Sequence, residues 1–194
     1  MTVPGSLRIS VPGSLPRISP PDLPSPDLRP LPIDEDLATI AAQEDRLRFE
    51  HFHEENAWNL GLRLREMSLA RRYPLVIDIR RVGQLLFFSA LAGSAPDNAE
   101  WARRKANVVA RFHRSSYRMG LELQQKNVAL EEKYGLHLAD FAPHGGSFPL
   151  TVTGVGVVGS VTVSGLPQRE DHELVVEALC AELRQEYTEM RLKP

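Results

Sequence analysis

The sequence predicts a mixed α/β fold of the α+β type, and three observations predict it. First, two pairs of short runs rich in Val, Ile and Phe are each joined by a glycine-bearing turn: LVIDI (75–79) with QLLFFSAL (84–91), and FPLTV (148–152) with VVGSVTV (157–163). Such runs suit pleated strands, and their spacing suits hairpins. Second, the segments around them place apolar residues every three to four positions, as amphipathic helices require. Third, 194 residues are enough for one domain with a real core.

Residues 1–33 stand apart. The first 32 hold nine of the fifteen prolines and a near-duplication, VPGSLRIS followed by VPGSLPRIS. Proline blocks ladder and helix hydrogen bonds, and no aromatic residue is present to seed a core. This stretch reads as a disordered proline-rich tail, or alternatively as a docking peptide. Residues 34–194 read as a single domain. A short helix over 34–46 begins with Asp34, Glu35 and Asp36, favourable at its positive end. LRFEHF (47–52) reads as a short extended segment. A helix over 54–71 spaces Ala57, Leu60, Leu64 and Met67 along one face.

The first hairpin turns at Arg81–Gly83, and GSAPDNA (93–99) is a loop in which Asp97 or Asn98 can cap a helix reaching Arg114. A helix over 116–127 and a helical turn at 130–135 follow. After the second hairpin, Pro167 opens a last helix with Val176, Leu179, Cys180, Leu183 and Tyr187 on one face.

Composition excludes several classes. A net charge of −2 gives no reason to expect nucleic acid or an anionic membrane surface. Nothing approaches the ~20 apolar residues of a membrane span, and prolines interrupt every candidate signal peptide. The single cysteine, Cys180, forms no internal disulfide, which fits a reducing compartment. The expectation is a cytoplasmic protein without nucleic-acid or membrane partners.

TGVGVVGS (153–160) contains the pattern G-x-G-x-x-G. A dinucleotide fingerprint needs a helix opening at the last glycine, where the pyrophosphate sits. Here Gly159 is followed by SVTVSG, which is strand-like. Gly154 and Gly156 therefore read as a hairpin turn, and Gly159 as a place where something packs against bare backbone. G-x-S-x-G, the P-loop and the C-x-x-C-H haem attachment motif are also absent.

Four blocks together, LVIDIRRVGQLLFFSAL (75–91), GSAPDNAEWARRKANVVARFHRSS (93–116), HGGSFPL (144–150) and GVVGSVTVSGLPQREDHELVVEAL (156–179), resemble the haem-degrading-domain family, also described as haem-binding or GlcG-like. The resemblance covers roughly residues 36–187 and is closest to a branch of small uncharacterised bacterial and fungal proteins. It implies a profilin-like fold, with a five-stranded antiparallel sheet and helices on both faces. It also implies symmetric homo-oligomers and haem, bound or degraded, as a ligand in some relatives. The wider family often carries an Asp shortly before the first hairpin turn. Arg80 occupies that place here, with Asp78 two residues earlier.

At 100° per residue, Trp101, Lys105, Val108, Val109 and Phe112 share one stripe of the helix over 97–114. A lysine inside that stripe must snorkel, meet a partner such as Asp78, or line a cavity as an anion-binding or catalytic group. The pocket is the reading favoured here, because Trp101 lies one turn away. In APHGGSFP (142–149), His144 could ligate iron or act as a general base, while Gly145 and Gly146 let a ligand or subunit approach the backbone. The plainer role for His144 is to cap a loop. His113, at the edge of the stripe, is a weaker candidate iron ligand. His51 and His53 lack an obvious third ligand, and Cys180 faces the core. The candidate ligand-binding set is thus Asp78, Asn98, Trp101, Lys105, His144, Gly145 and Gly146. The expected function is a homo-oligomer with a pocket for haem or another anionic small molecule. The alternative is a non-enzymatic oligomeric scaffold without a cofactor.

Overall fold

The structure is a computed structural model and describes residues 33–193; the expectations for residues 1–32 of the proline-rich tail lie outside them, and Ile33, placed in that tail, begins the first helix instead. The elements run α1 (Ile33–Arg46), β1 (Arg48–Phe49), α2 (Glu54–Ala70), β2 (Val76–Arg81), β3 (Gln84–Ala90), α3 (Pro96–Phe112), α4 (Ser116–Gln125), α5 (Leu130–Tyr134), β4 (Ser147–Val152), β5 (Gly156–Ser164), α6 (Gln168–Leu183) and α7 (Tyr187–Met190). The last helix is shorter than its apolar spacing suggested. Arg184 turns left-handed at its end (φ 55°), and Tyr187 starts a separate turn.

The five strands are ordered β1-β4-β5-β2-β3. The three pairs among β2 to β5 are antiparallel, as expected. The sheet is nevertheless mixed, because β1 runs parallel to β4. That corrects the purely antiparallel sheet the resemblance implied. β1 is only two residues long, and its direction is set by where α1 delivers the chain, which local pattern does not encode. The first hairpin turns through Val82 and Gly83, both left-handed (φ 46° and 82°). That geometry matches the twist of two-residue hairpins.

Strand alternation separates two unlike faces. Ile77, Ile79, Phe148, Leu150, Val161 and Val163 form the apolar face, buried beneath Leu60 and Leu64 of α2 and Val175 and Leu179 of α6. Between them they build the main core. The opposite face carries Asp78, Arg80, Ser147, Ser160, Thr162 and Ser164. There α3 lies across β2, β4 and β5, contributing buried Ala102, Lys105, Ala106 and Val109. Helices therefore cover both faces, as expected. The small side chains of this face let α3 approach closely, and its buried polar groups need specific partners. Beyond α3, the same face of β3 exposes Leu85 and Phe88, which are 50% and 47% accessible. Among the described residues, no helix is long and apolar enough to cross a membrane.

Candidate functional site

Helix α3 starts with Pro96 at its first turn, where the missing N–H costs nothing. Neither Asp97 nor Asn98 is the N-cap. Asn98 reaches back from the third position to accept the Ala95 N–H at 2.7 Å, and Asp97 accepts the Trp101 indole N–H at 2.9 Å. Trp101 is thereby fixed at the edge of the helix. The Arg104 guanidinium carbon stacks 4.1 Å over its ring, and the His144 ring meets it edge-on at 5.3 Å. An indole face attracts such a cation.

One turn on, Lys105 is 4% exposed. Its Nζ donates to Asp171 Oδ2 at 2.7 Å and to the Val163 carbonyl at 3.3 Å. Asp171, in the first turn of α6, accepts the Leu166 N–H at 3.0 Å with its other oxygen. The lysine's partner is therefore Asp171. Asp78 is engaged elsewhere, by Arg80 Nε and Nη2 at 2.7 and 2.8 Å. Burial pushes the Asp171 carboxyl up from 3.8 to about 6, with the Lys105 charge and hydrogen bond opposing it. Burial likewise pulls the Lys105 ammonium down against the pull of Asp171. The pair joins α3, β5 and α6, and it leaves no free cation at this point.

The two glycines after His144 serve this junction. A Cβ on Gly145 would stand 1.8 Å from the Gln168 carbonyl oxygen. On Gly146, at φ +123°, it would stand 2.4 Å from the Val163 oxygen and 2.9 Å from Lys105 Nζ. Their bare backbone admits the start of α6 and the lysine head rather than a ligand.

His144 itself stays exposed. It lies between two adjoining clefts. One, of about 270 Å³, is lined by Asn98, Trp101, Lys105, Gln168 and Asp171; the other, of about 330 Å³, is walled by Leu121, Leu123, Val128, Leu130 and Leu138, and His144 and Gln168 line both. Although the residue is exposed, partial desolvation of its ring between the clefts pulls the His144 imidazole below its ordinary value, and the charges of Lys105 and Arg104 push the same way. It is neutral at physiological pH, with no side-chain hydrogen bond among the described residues.

The structure thus brings together Asn98, Trp101, Lys105 and His144 and separates Asp78 and His113 from them. His113 is the exposed, left-handed C-cap of α3 and faces a different cleft. His51 and His53 stack at 5.2 Å on the surface, and among the described residues no group of three or more metal-ligating side chains converges. Cys180 is buried, its thiol pushed up to about 11 by burial. Gly154 and Gly156 form the β4–β5 turn with positive φ, and a Cβ on Gly159 would stand 1.9 Å from the Arg80 carbonyl oxygen. The G-x-G-x-x-G pattern is therefore hairpin and close strand packing. Sequence reasoning missed Gln168 and Asp171, whose acidic, helix-starting context looks like ordinary dipole compensation.

A family model described as "HbpS-like: Haem degrading protein HbpS-like" matches residues 52–180. A UPF0303 protein of Acidobacterium capsulatum is 62% identical over 158 residues, covering 81% of this chain and 96% of its own. The crystal structure of the Ybr137w protein superposes with a TM-score of 0.73 at 29% identity, over 79% of this chain and 92% of the other. A crystal structure of a PduOC:heme complex shares the fold, with a TM-score of 0.59 at 18% identity over 67% of this chain and 94% of the other.

Proposed function

We propose a function from one premise: the chain belongs to the family of HbpS-like haem-degrading proteins. The reading is a cytoplasmic homo-oligomer that binds haem, or another flat anionic small molecule, at His144. The supporting observation is the position of a neutral, exposed imidazole, without a hydrogen bond among the described residues, on the boundary between a leucine-rich cleft and the Trp101 cleft. Neutral imidazole is the form that ligates iron. The leucine-rich wall suits a macrocycle, and Trp101 braces the imidazole from its edge. Bound there, haem would supply a redox-active iron. Lys105 does not fit the role of a propionate partner, because Asp171 already holds it. In this reading Lys105 supports the cleft and His144 holds the ligand.

Titration with haemin, followed at the Soret band, tests this. Wild type is expected to saturate at micromolar haemin, and His144→Ala to bind at least about tenfold more weakly, with a changed Soret maximum, since about 1.4 kcal/mol corresponds to that factor. An unchanged spectrum and affinity in His144→Ala rejects His144 as ligand. Absence of any saturable shift in wild type rejects haem and leaves the scaffold reading.

Two observations support the other parts. The free, buried Cys180 agrees with a reducing compartment. β3 is an edge strand whose face beyond α3 exposes Leu85 and Phe88, a surface that a second copy would cover. Light scattering at low micromolar concentration is expected to give more than one subunit, and Phe88→Lys to lower that mass. A monomeric wild type rejects the oligomer, and an unaffected Phe88→Lys rejects this interface.

A further inference from the structure

A separate cleft of about 290 Å³ opens between α3 and the far end of the sheet, and it shares no lining residue with the two clefts at His144. Its apolar walls include Ala106, Ala110, Val157 and Val158, and its polar groups are Arg80, Asn107, His113 and Ser160. Helix and sheet do not close on each other here because the facing side chains are small. The Ser160 residue is 4% exposed, and its hydroxyl, unbonded among the described residues, is open to the cleft it lines.

Arg80 is the more informative residue. A guanidinium carries five N–H donors. Asp78, only 2% exposed in its side chain, takes one from Nε and one from Nη2. The other three have no partner among the described residues. Arg80 lines the cleft and Asp78 does not. The buried carboxylate therefore grips one edge of the guanidinium and leaves the other edge for the cleft. That free edge has the two-pronged geometry that receives a carboxylate. At the rim, Val82 is held at φ +46°, a conformation that β-branched residues rarely adopt.

We infer that this cleft is a second binding site, for a small carboxylic acid with a short apolar body. The carboxylate lies end-on against the outer edge of Arg80, with Ser160 as a further donor, and the alkyl part rests among Ala106, Ala110 and Val157. Its size suits a ligand at the small end of ordinary binding pockets. The Asp78–Arg80 pair thus positions a donor rather than merely neutralising itself.

Methyl NMR shifts on addition of sodium butyrate test the site, with butyramide as the neutral isostere and Ala110→Leu as the variant. Ala110 is exposed, so a leucine there fills the cleft without entering the core. Butyrate is expected to shift the Val157 and Val158 methyl signals saturably at millimolar concentration. Butyramide is expected to bind about tenfold more weakly, the factor that loss of one charge-assisted hydrogen bond gives. Ala110→Leu is expected to abolish the shifts while leaving the haemin titration unchanged. No saturable shift in wild type, an unaltered response in Ala110→Leu, or equal binding of butyramide each overturns the proposal. None of these outcomes bears on His144.

Discussion

Lys105→Met is expected to destabilise the domain by on the order of 3–5 kcal/mol at neutral pH, the usual consequence of removing one member of a buried ion pair. The methionine keeps most of the stem, so packing changes little. The loss comes from Asp171, which is 1% exposed in its side chain and would keep only backbone donors. For a domain of this size that corresponds to roughly 10 °C or more in Tm. The pH dependence identifies the cause. An acid whose folded pKa lies above its unfolded value holds its proton longer when folded. Its favourable contribution is present below the unfolded value and is lost as pH rises through the folded value. In wild type the Asp171 window runs from 3.8 to about 6. Removing Lys105 removes what holds the carboxyl down, so the window extends upward. Urea unfolding should show the variant still losing about 1.4 kcal/mol per pH unit above pH 6, where the contribution of this group in wild type has levelled. Lys105→Met/Asp171→Asn should recover most of the stability and flatten the slope. Parallel pH curves for wild type and Lys105→Met would show that the pair is not the origin of the loss.

This pair also shows what the sequence could and could not disclose. Helical phase alone placed Lys105 in the apolar stripe of α3, and burial confirms it. The same phase placed Trp101 one turn earlier, at the cleft. The partner was invisible, because Asp171 lies 66 residues away and its local context is an acidic helix start. Asp78 was the nearer guess, but strand alternation puts Arg80 beside it on the same face, and a side chain two residues away reaches it first. The antiparallel hairpins were legible in their β-branched runs and glycine turns. The parallel pairing of β1 was not, since a two-residue strand carries no periodicity and its direction depends on the packing of α1. Likewise the cleft at His144 draws walls from α3, α4, the loop before β4 and the start of α6, which only the fold assembles.

Gly145→Ala is expected to be the most damaging single methyl group that can be added around this site. The new Cβ would fall 1.8 Å from the Gln168 carbonyl oxygen and 2.6 Å from its carbon. Both are backbone atoms, so no side-chain rotation relieves the contact; the first turn of α6 has to move. That turn carries Asp171, and the Lys105 pair moves with it. Overpacking alone costs about 1–3 kcal/mol and more where nothing can yield. Added to a disturbed buried ion pair, the expected loss is about 3–5 kcal/mol. Gly154→Ala supplies the control. Gly154 also lies in a turn, with φ +76°, but nothing stands within 4 Å of its added Cβ. Its cost is then only that of a left-handed backbone, about 1 kcal/mol. Urea unfolding of the two variants separates the roles of the glycines after His144. If Gly145→Ala falls well below Gly154→Ala in stability, the bare backbone exists to seat α6 against the sheet. If Gly145→Ala matches Gly154→Ala in stability yet loses haemin affinity, the glycine serves a ligand's approach, and the assignment of this loop to internal packing is wrong.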